Sequence, residues 1–130
     1  MKIVINKCHG GFRLSEKAVM RYAELIGMKL YSNKNEKFGL TEYYKIPIDE
    51  FKKIEIENPS AYSFLDELIF YENFISRNDP FLIKVVEELG KEANGDCADL
   101  KIVEIPDDIL WQIQEYEGIE KVVEKHRSWS

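Results

Sequence analysis

The sequence predicts an α/β fold, in which helices pack on a small mixed, partly parallel sheet within a single domain over residues 1–130. Residues 2–6, KIVIN, form an almost uninterrupted apolar run rich in β-branched residues, as in a strand buried on both faces. An amphipathic helical pattern follows at 16–26, and a second helix-then-strand pattern occupies 77–105. Strands of this type belong to sheets covered by helices.

Composition limits the class of protein and of partner. A chain of 130 residues with 45% apolar and 32% charged residues can bury a core without disulfide or metal staples. The 18 basic and 24 acidic residues give a net charge of -6, which leaves no broad basic surface for polymeric nucleic acid. A small anionic ligand bound locally is compatible with this charge.

No stretch has the length of a signal peptide or of a membrane span, so we expect a cytoplasmic protein without a membrane partner.

The two cysteines, Cys8 and Cys97, share no CxxC spacing, and we expect reduced thiols.

The first helix has clear ends. Ser15 is a natural N-cap and Gly27 a natural stop, and one stripe of the helix carries Val19, Tyr22, Ala23 and Ile26. The crossover rule then predicts residues 28–31 as a strand parallel to the first.

The middle of the chain is harder to interpret. Residues 32–40 are predicted to be a polar loop, and 41–48 an extended segment that Pro47 confines to a sheet edge. After a break at 57–63, the apolar and aromatic run at 64–75 fits a helix or a strand equally well.

The last third is patterned more strongly. Asp79 and Pro80 begin a helix within 77–95, which Asn94 and Gly95 end, and a strand follows at 100–105 until Pro106. The alternation around 109–113 and the turn at 117–118 favour a hairpin-like strand followed by a short strand or helix, with a continuous helix as the alternative.

A parallel sheet predicts where a site lies, because ligands bind outside the carboxyl ends of its strands. The loops after 2–6 and after 100–105 would then meet in one crevice. The residues expected there are His9, Gly10, Gly11, Phe12, Asp107 and Asp108.

Each residue of this crevice has a candidate role. The glycine pair can present amides to an anion, Phe12 can stack on a base, and Arg13 adds charge. The alternative is that the glycines only form a tight turn and that Phe12 joins the core. The spacing matches neither GxGxxG nor a P-loop.

Some residues also suggest catalysis or metal binding. Adjacent side chains on an extended backbone point apart, so Cys8 and His9 cannot form a pair, whereas His9 with Asp107 or Asp108 is a candidate acid-base pair. Four residues could in principle bind zinc: Cys8, His9, Cys97 and His126. Their spacing matches no known zinc motif, and we expect neither a metal nor another cofactor. A helix-ending loop at 92–99 fits plain helix termination as well as binding of calcium or a ribose hydroxyl.

Two further arginines are candidate ligand contacts. Arg77 precedes a helix N-terminus and can bind a phosphate. Arg127 lies in the final segment EKHRSWS. Trp129 in the same segment must pack either on the rest of the protein or on a second copy. We expect a homo-oligomer.

Three segments resemble a family of small bacteriophage and prophage proteins: KIVINKCHGGFRLS, NDPFLIKVVEELGKEANGDCADLKIVEIPDD and EYEGIEKVVEKHRSW. They are residues 2–15, 78–108 and 115–129, and 32–76 is less familiar. The family has no established activity. The resemblance therefore implies a context, since small phage proteins of this kind often inhibit host defence and some hold nucleotide immune signals without cleaving them.

From the resemblance and the predicted crevice we expect a protein that binds and sequesters a nucleotide-like ligand in the bacterial cytoplasm and needs no catalytic residue. One alternative is an enzyme that hydrolyses or modifies such a molecule. The other is a protein inhibitor that covers a host defence enzyme.

Overall fold

A computed structural model describes residues 1–35 and 40–125. It is a mixed helix and sheet structure, as predicted. The strands of the described part are β1 (Lys2–Asn6), β2 (Tyr31–Asn35), β3 (Leu40–Tyr44), β4 (Ile69–Phe70), β5 (Leu100–Glu104), β6 (Trp111–Tyr116) and β7 (Ile119–Glu124). Its α-helices are α1 (Glu16–Ile26), α2 (Ile48–Glu57), α3 (Tyr62–Glu67) and α4 (Pro80–Leu89).

The strands form three small antiparallel sheets, β1–β5, β2–β3–β4 and β6–β7. The predicted parallel pairing is therefore wrong. The chain leaves α1 for a separate sheet, and β1 pairs instead with β5, in a register that sets Lys2 opposite Glu104 and Asn6 opposite Leu100. The apolar run of β1 correctly predicted burial on both faces, but burial does not determine strand direction.

Both predicted helices are present with their caps. The Ser15 hydroxyl accepts from the Ala18 N–H, and Gly27 ends α1 in the left-handed conformation. At α4, Asp79 accepts from the Phe81 and Leu82 N–H groups. This helix ends at Leu89, earlier than predicted, and continues as a 3-10 turn over Gly90–Ala93.

The middle segment differs most from the sequence prediction. The strand β3 lies at the centre of its sheet, and Pro47 follows that strand as the residue before α2, so it does not define an edge. Part of the predicted polar loop is β2, and the ambiguous run at 64–75 divides into the end of α3, the strand β4 and a 3-10 turn over Glu72–Phe74.

Two groups of buried side chains hold these elements together. In the larger one, α1 and α4 pack on each other and on β1, where Val4, Val19 and Leu82 are fully buried. The smaller one lies under α2 and α3, where the rings of Tyr44 and Phe51 are 4.6 Å apart between centroids.

The predicted hairpin is confirmed as β6 and β7, joined at Glu117 and Gly118. It is anchored beside β1 through Glu120, which is only 6% exposed. The Glu120 carboxylate accepts from the Asn6 N–H at 2.8 Å and from two guanidinium nitrogens of Arg77 at 2.6 and 2.9 Å. Side chains thus anchor the hairpin against β1.

The fully buried Asn6 amide completes this attachment. Its nitrogen donates to the carbonyls of Cys8 at 2.6 Å and Gly118 at 2.7 Å, and its oxygen accepts from the Asp99 N–H at 2.8 Å. One side chain therefore joins the loop after β1, the hairpin turn and the approach to β5. We call Asn6, Arg77 and Glu120 the polar cluster.

Among the helices of residues 1–35 and 40–125, none combines the length and the apolar character needed to cross a membrane.

We predict that Arg77→Met lowers the free energy of unfolding by about 3–5 kcal/mol, because it leaves a buried carboxylate without its counter-ion. Adding Glu120→Gln recovers part of the loss, since the unpaired charge is then removed. Urea unfolding measures the free energy of unfolding of the single and the double variant. The exposed ion pair Lys17–Glu92 is the control, because Lys17→Met should cost at most about 1 kcal/mol. A cost for Arg77→Met as small as the control contradicts this view of the polar cluster.

Candidate functional site

The glycine pair shapes the loop between β1 and α1. A Cβ on Gly10 would lie 2.1 Å from the Cys97 carbonyl oxygen. The loop that contains Cys97 packs so closely that only glycine fits at this position. Gly11 has a φ of 86°, and its N–H points back to the Cys8 carbonyl at 3.4 Å. A tight turn and a close backbone contact thus account for both glycines, and the Gly11 amide is engaged within the turn.

The neighbour of this loop is the β6–β7 turn. A Cβ on Gly118 would lie 2.2 Å from the His9 carbonyl oxygen and 2.7 Å from the Gly11 nitrogen. Gly118 also has a φ of 90°. The hairpin turn therefore occupies the place that the sequence assigned to the loop after β5.

The predicted crevice that joins His9 to Asp107 and Asp108 is wrong. Because β5 runs antiparallel to β1, the loop that follows β5 lies at the opposite end of the pair from the glycine loop. Asp107 instead accepts a hydrogen bond from the Met1 amino group, which lowers the pKa of its carboxyl. His9 is exposed and has no hydrogen-bond partner among the described residues.

Phe12 and Arg77, two of the predicted ligand contacts, lie in contact with each other. The Arg77 guanidinium lies 3.6 Å from the centroid of the Phe12 ring while it pairs with Glu120. Its charge is thus already balanced. Arg77 fixes the position of Phe12. A phosphate would have to compete with Glu120 for the Arg77 guanidinium.

Phe12 lies between two depressions. The hairpin cleft, about 270 Å³, has Gly11, Arg77, Glu115 and Glu120 in its lining. The second, which we call the aromatic cleft, has a volume of about 470 Å³ and extends from the glycine loop to β3 and β4. The rings and charged groups that line the aromatic cleft are Phe12, Tyr43, Phe70, Tyr71, Arg13, Glu42 and Glu72.

A polar cleft of about 240 Å³ adjoins the aromatic cleft. Arg13, Thr41, Tyr43 and Glu72 belong to the walls of both. The polar cleft adds a second cation, Lys34, together with Ser15, Glu16 and Asp96. The two clefts therefore form one bipartite depression, aromatic on one side and charged on the other.

The carboxyl of Glu72 lies where these two clefts meet. Its Oε2 accepts from the Leu14 N–H at 2.7 Å, and within the described ranges no other hydrogen bond reaches this carboxyl. Burial raises the pKa of Glu72, although the Leu14 amide and Arg13 oppose that shift. Burial is also the main cause that raises the pKa of Tyr43, and the negative charge of Glu72 adds to the shift.

Two other polar groups of the aromatic cleft, Tyr71 and Glu42, already have partners. The Tyr71 hydroxyl donates to Asp66 at 2.8 Å, and the Tyr44 hydroxyl donates to Glu42. The first bond holds the Tyr71 ring in place at the cleft. The second makes Glu42 less available to a ligand than Glu72.

A larger depression of about 580 Å³ lies between Lys7 and the outer face of the hairpin. It contains none of the sequence-predicted residues. Tyr116, one of its lining residues, is 76% exposed, and no described side chain fixes its position by a hydrogen bond. We regard the bipartite depression as the better candidate because Glu72 and Tyr71 in its lining are held in place by hydrogen bonds.

The site therefore combines predicted and unpredicted residues. Gly10, Phe12 and Arg13 line the aromatic cleft, which is not the crevice that the sequence predicted, and Gly11 and Arg77 line the hairpin cleft. Glu72, Tyr43 and Tyr71 were not among the predicted residues, although the acidic and aromatic run FYENF at 70–74 was a usable signal for Glu72 and Tyr71. Arg127 lies outside the described residues, as do His126 and Trp129.

No group of three or more His, Cys, Asp or Glu side chains forms a metal-binding arrangement in residues 1–35 and 40–125. Cys8 and Cys97 are free thiols.

Comparison of the chain with models of protein families, with curated proteins and with solved structures finds no match.

We predict that Gly118→Ala destabilises the protein by about 1–3 kcal/mol more than Gly11→Ala. Both glycines have positive φ, but a Cβ on Gly11 meets open space, whereas one on Gly118 strikes the glycine loop. Urea unfolding of the two variants gives the difference. Equal costs would show that the hairpin turn does not pack on this loop as described.

Proposed function

We propose that the protein binds and sequesters a nucleotide-like small molecule in the bipartite depression. The observation that carries this proposal is the continuity of an aromatic cleft with a charged one across the shared wall of Arg13 and Glu72. A volume of about 470 Å³ for the aromatic cleft lies within the range typical of small-molecule sites. The resemblance to phage proteins adds a context, the inhibition of host anti-phage signalling.

The aromatic cleft supplies surfaces for a planar base. Phe12 is held by the guanidinium of Arg77, and Tyr71 is held by its hydrogen bond to Asp66. Aromatic side chains that are fixed before binding lose little conformational entropy when a base stacks on them. Stacking here therefore favours a planar heterocycle.

The polar cleft supplies the cations for a phosphate. Arg13 is exposed and, among the described residues, forms no ion pair, while Lys34 is the second cation in the lining. Three carboxylates share this lining, Glu16, Glu72 and Asp96. Because the acidic groups outnumber the basic ones, the depression favours a ligand with few phosphates over a polyphosphate.

Binding without chemistry is the activity that this arrangement supports best. The acid-base pair of the enzymatic alternative does not form, because His9 lies at the opposite end of β1 from Asp107 and Asp108. The groups of the depression are suited to stacking, ion pairing and hydrogen bonding, which sequestration requires.

The protein-inhibitor alternative is favoured by a different surface. Ile56, Tyr62 and Phe64 on α2 and α3 are 79%, 76% and 53% exposed. Exposed apolar side chains of this kind are typical of protein interfaces. A host enzyme covered through this surface is therefore the second candidate function.

We predict that at least one member of a panel of cyclic dinucleotides, cyclic ADP-ribose forms and mononucleotides raises the melting temperature. At a hundredfold excess over Kd the gain is about 2.7 kcal/mol of stability. Tyr71→Ala and Arg13→Ala should reduce the shift, and Tyr116→Ala, in the depression on the outer hairpin face, serves as the matched aromatic control.

Chromatography of the ligand released by denaturation separates the alternatives. Sequestration returns the ligand unchanged, whereas an enzyme returns a product. If no compound shifts the melting temperature and a host protein forms a stable complex that Phe64→Ser breaks, the inhibitor function replaces the proposed one.

A further inference from the structure

The carboxyl of Glu72 differs from every other acidic group of the depression in its burial. It is half-buried at the junction of the two clefts, whereas Glu16, Glu42 and Asp96 are exposed. A carboxylate that has lost water regains most by accepting hydrogen bonds from a ligand placed beside it. Its position makes it the strongest acceptor that a bound molecule would meet.

One oxygen of this carboxylate is already oriented by the backbone. The Leu14 N–H, at the start of the approach to α1, donates to Oε2 at 2.7 Å. In the described residues Oε1 has no hydrogen-bond partner. The backbone bond thus holds the carboxyl in a fixed direction and leaves acceptor capacity on the side of the clefts.

The neighbours of Glu72 define what kind of donor would reach it. Tyr43, Phe70 and Tyr71 line the same aromatic cleft, so a planar ring that stacks there brings its edge towards the carboxyl. Asn73, the next residue, adds an amide that both donates and accepts. An aromatic surface beside an acceptor selects a flat heterocycle with N–H donors on its edge.

We propose that Glu72 reads the amino-bearing edge of a purine base, so that the protein prefers purine nucleotides with an exocyclic amino group over those without one. This inference rests on the proposed function, because it names the ligand class and the discriminating residue of the same depression. The phosphate of such a ligand points to Arg13 and Lys34. A base without the amino group covers the half-buried carboxylate without donating to its free oxygen and loses affinity.

Two pairs of probes test the inference by isothermal titration calorimetry. Guanosine 5′-monophosphate is compared with inosine 5′-monophosphate, and adenosine 5′-monophosphate with purine riboside 5′-monophosphate, because each pair differs only in the amino group. We expect at least one pair to show about 10-fold or greater preference for the amino form, the effect of one hydrogen bond to a charged group.

The variant Glu72→Gln separates base reading from general electrostatics. The new side chain can keep its bond to Leu14 through the amide oxygen while turning an NH₂ group to the base, so the preference should fall to within about threefold. Glu104→Gln removes the same charge from an exposed position on β5 and should leave the preference unchanged. If Glu72→Gln does not fold, the comparison within each pair on the wild-type protein still decides.

The outcomes distinguish this inference from the proposed function. Binding of all four nucleotides without preference overturns the reading by Glu72 and leaves nucleotide sequestration standing. A preference that survives unchanged in folded Glu72→Gln also overturns the inference. Absence of binding by all four at millimolar concentration overturns the inference, and the proposed function is overturned as well if no compound of the thermal-shift panel binds.

Discussion

The burial of one carboxylate and one amide beside β1 is the constraint on which the rest of the structure depends. Glu120 and Asn6 are 6% and 0% exposed, and neither can be taken out of water without hydrogen-bond partners. The chain satisfies them with groups from distant segments, namely Arg77 before α4, the hairpin turn and the residue before β5. Every buried side-chain polar atom of the described residues finds a partner. Satisfying these two groups therefore specifies how four segments meet.

The same constraint positions the candidate site. Arg77 cannot turn away from Glu120 without leaving a buried charge unpaired, and in that position its guanidinium lies over the Phe12 ring. Phe12 in turn separates the aromatic cleft from the hairpin cleft. Arg77, which the sequence offers as a phosphate ligand, thus also fixes the position of Phe12. The cations that line the bipartite depression are the exposed Arg13 and Lys34.

Local signals predicted the local structure well. The caps at Ser15, Gly27 and Asp79, the buried run of β1 and the turn at Glu117 and Gly118 each depend on residues close in sequence, and each is present. Strand direction depends on which distant strand fills the neighbouring position, and no local pattern encodes it. Because β1 and β5 pair antiparallel, Asp107 and Asp108 lie at the end of the pair that is away from the glycine loop.

The site was predicted only in the part that comes from one loop. Phe12 and Arg13 belong to the loop between β1 and α1, so a strand, turn and helix pattern was enough to select them. Glu72, Tyr43 and Tyr71 come from the segment between β2 and α4, where the three-stranded sheet brings them to the glycine loop through tertiary contacts. The role of Asn6 was equally hidden, because an asparagine at a strand end resembles an ordinary turn residue.

Native-state hydrogen exchange, followed residue by residue, tests the central claim most directly. If the polar cluster joins the hairpin to β1, the amides of Asn6 and Asp99, which donate to Glu120 and to the Asn6 side chain, open only with the unfolding of the core amides of β1. Their opening free energies then equal that of the Val4 amide. Exchange of the Asn6 and Asp99 amides several kcal/mol more easily than that of Val4 would contradict the account, because the cluster would then open without disturbing the fold.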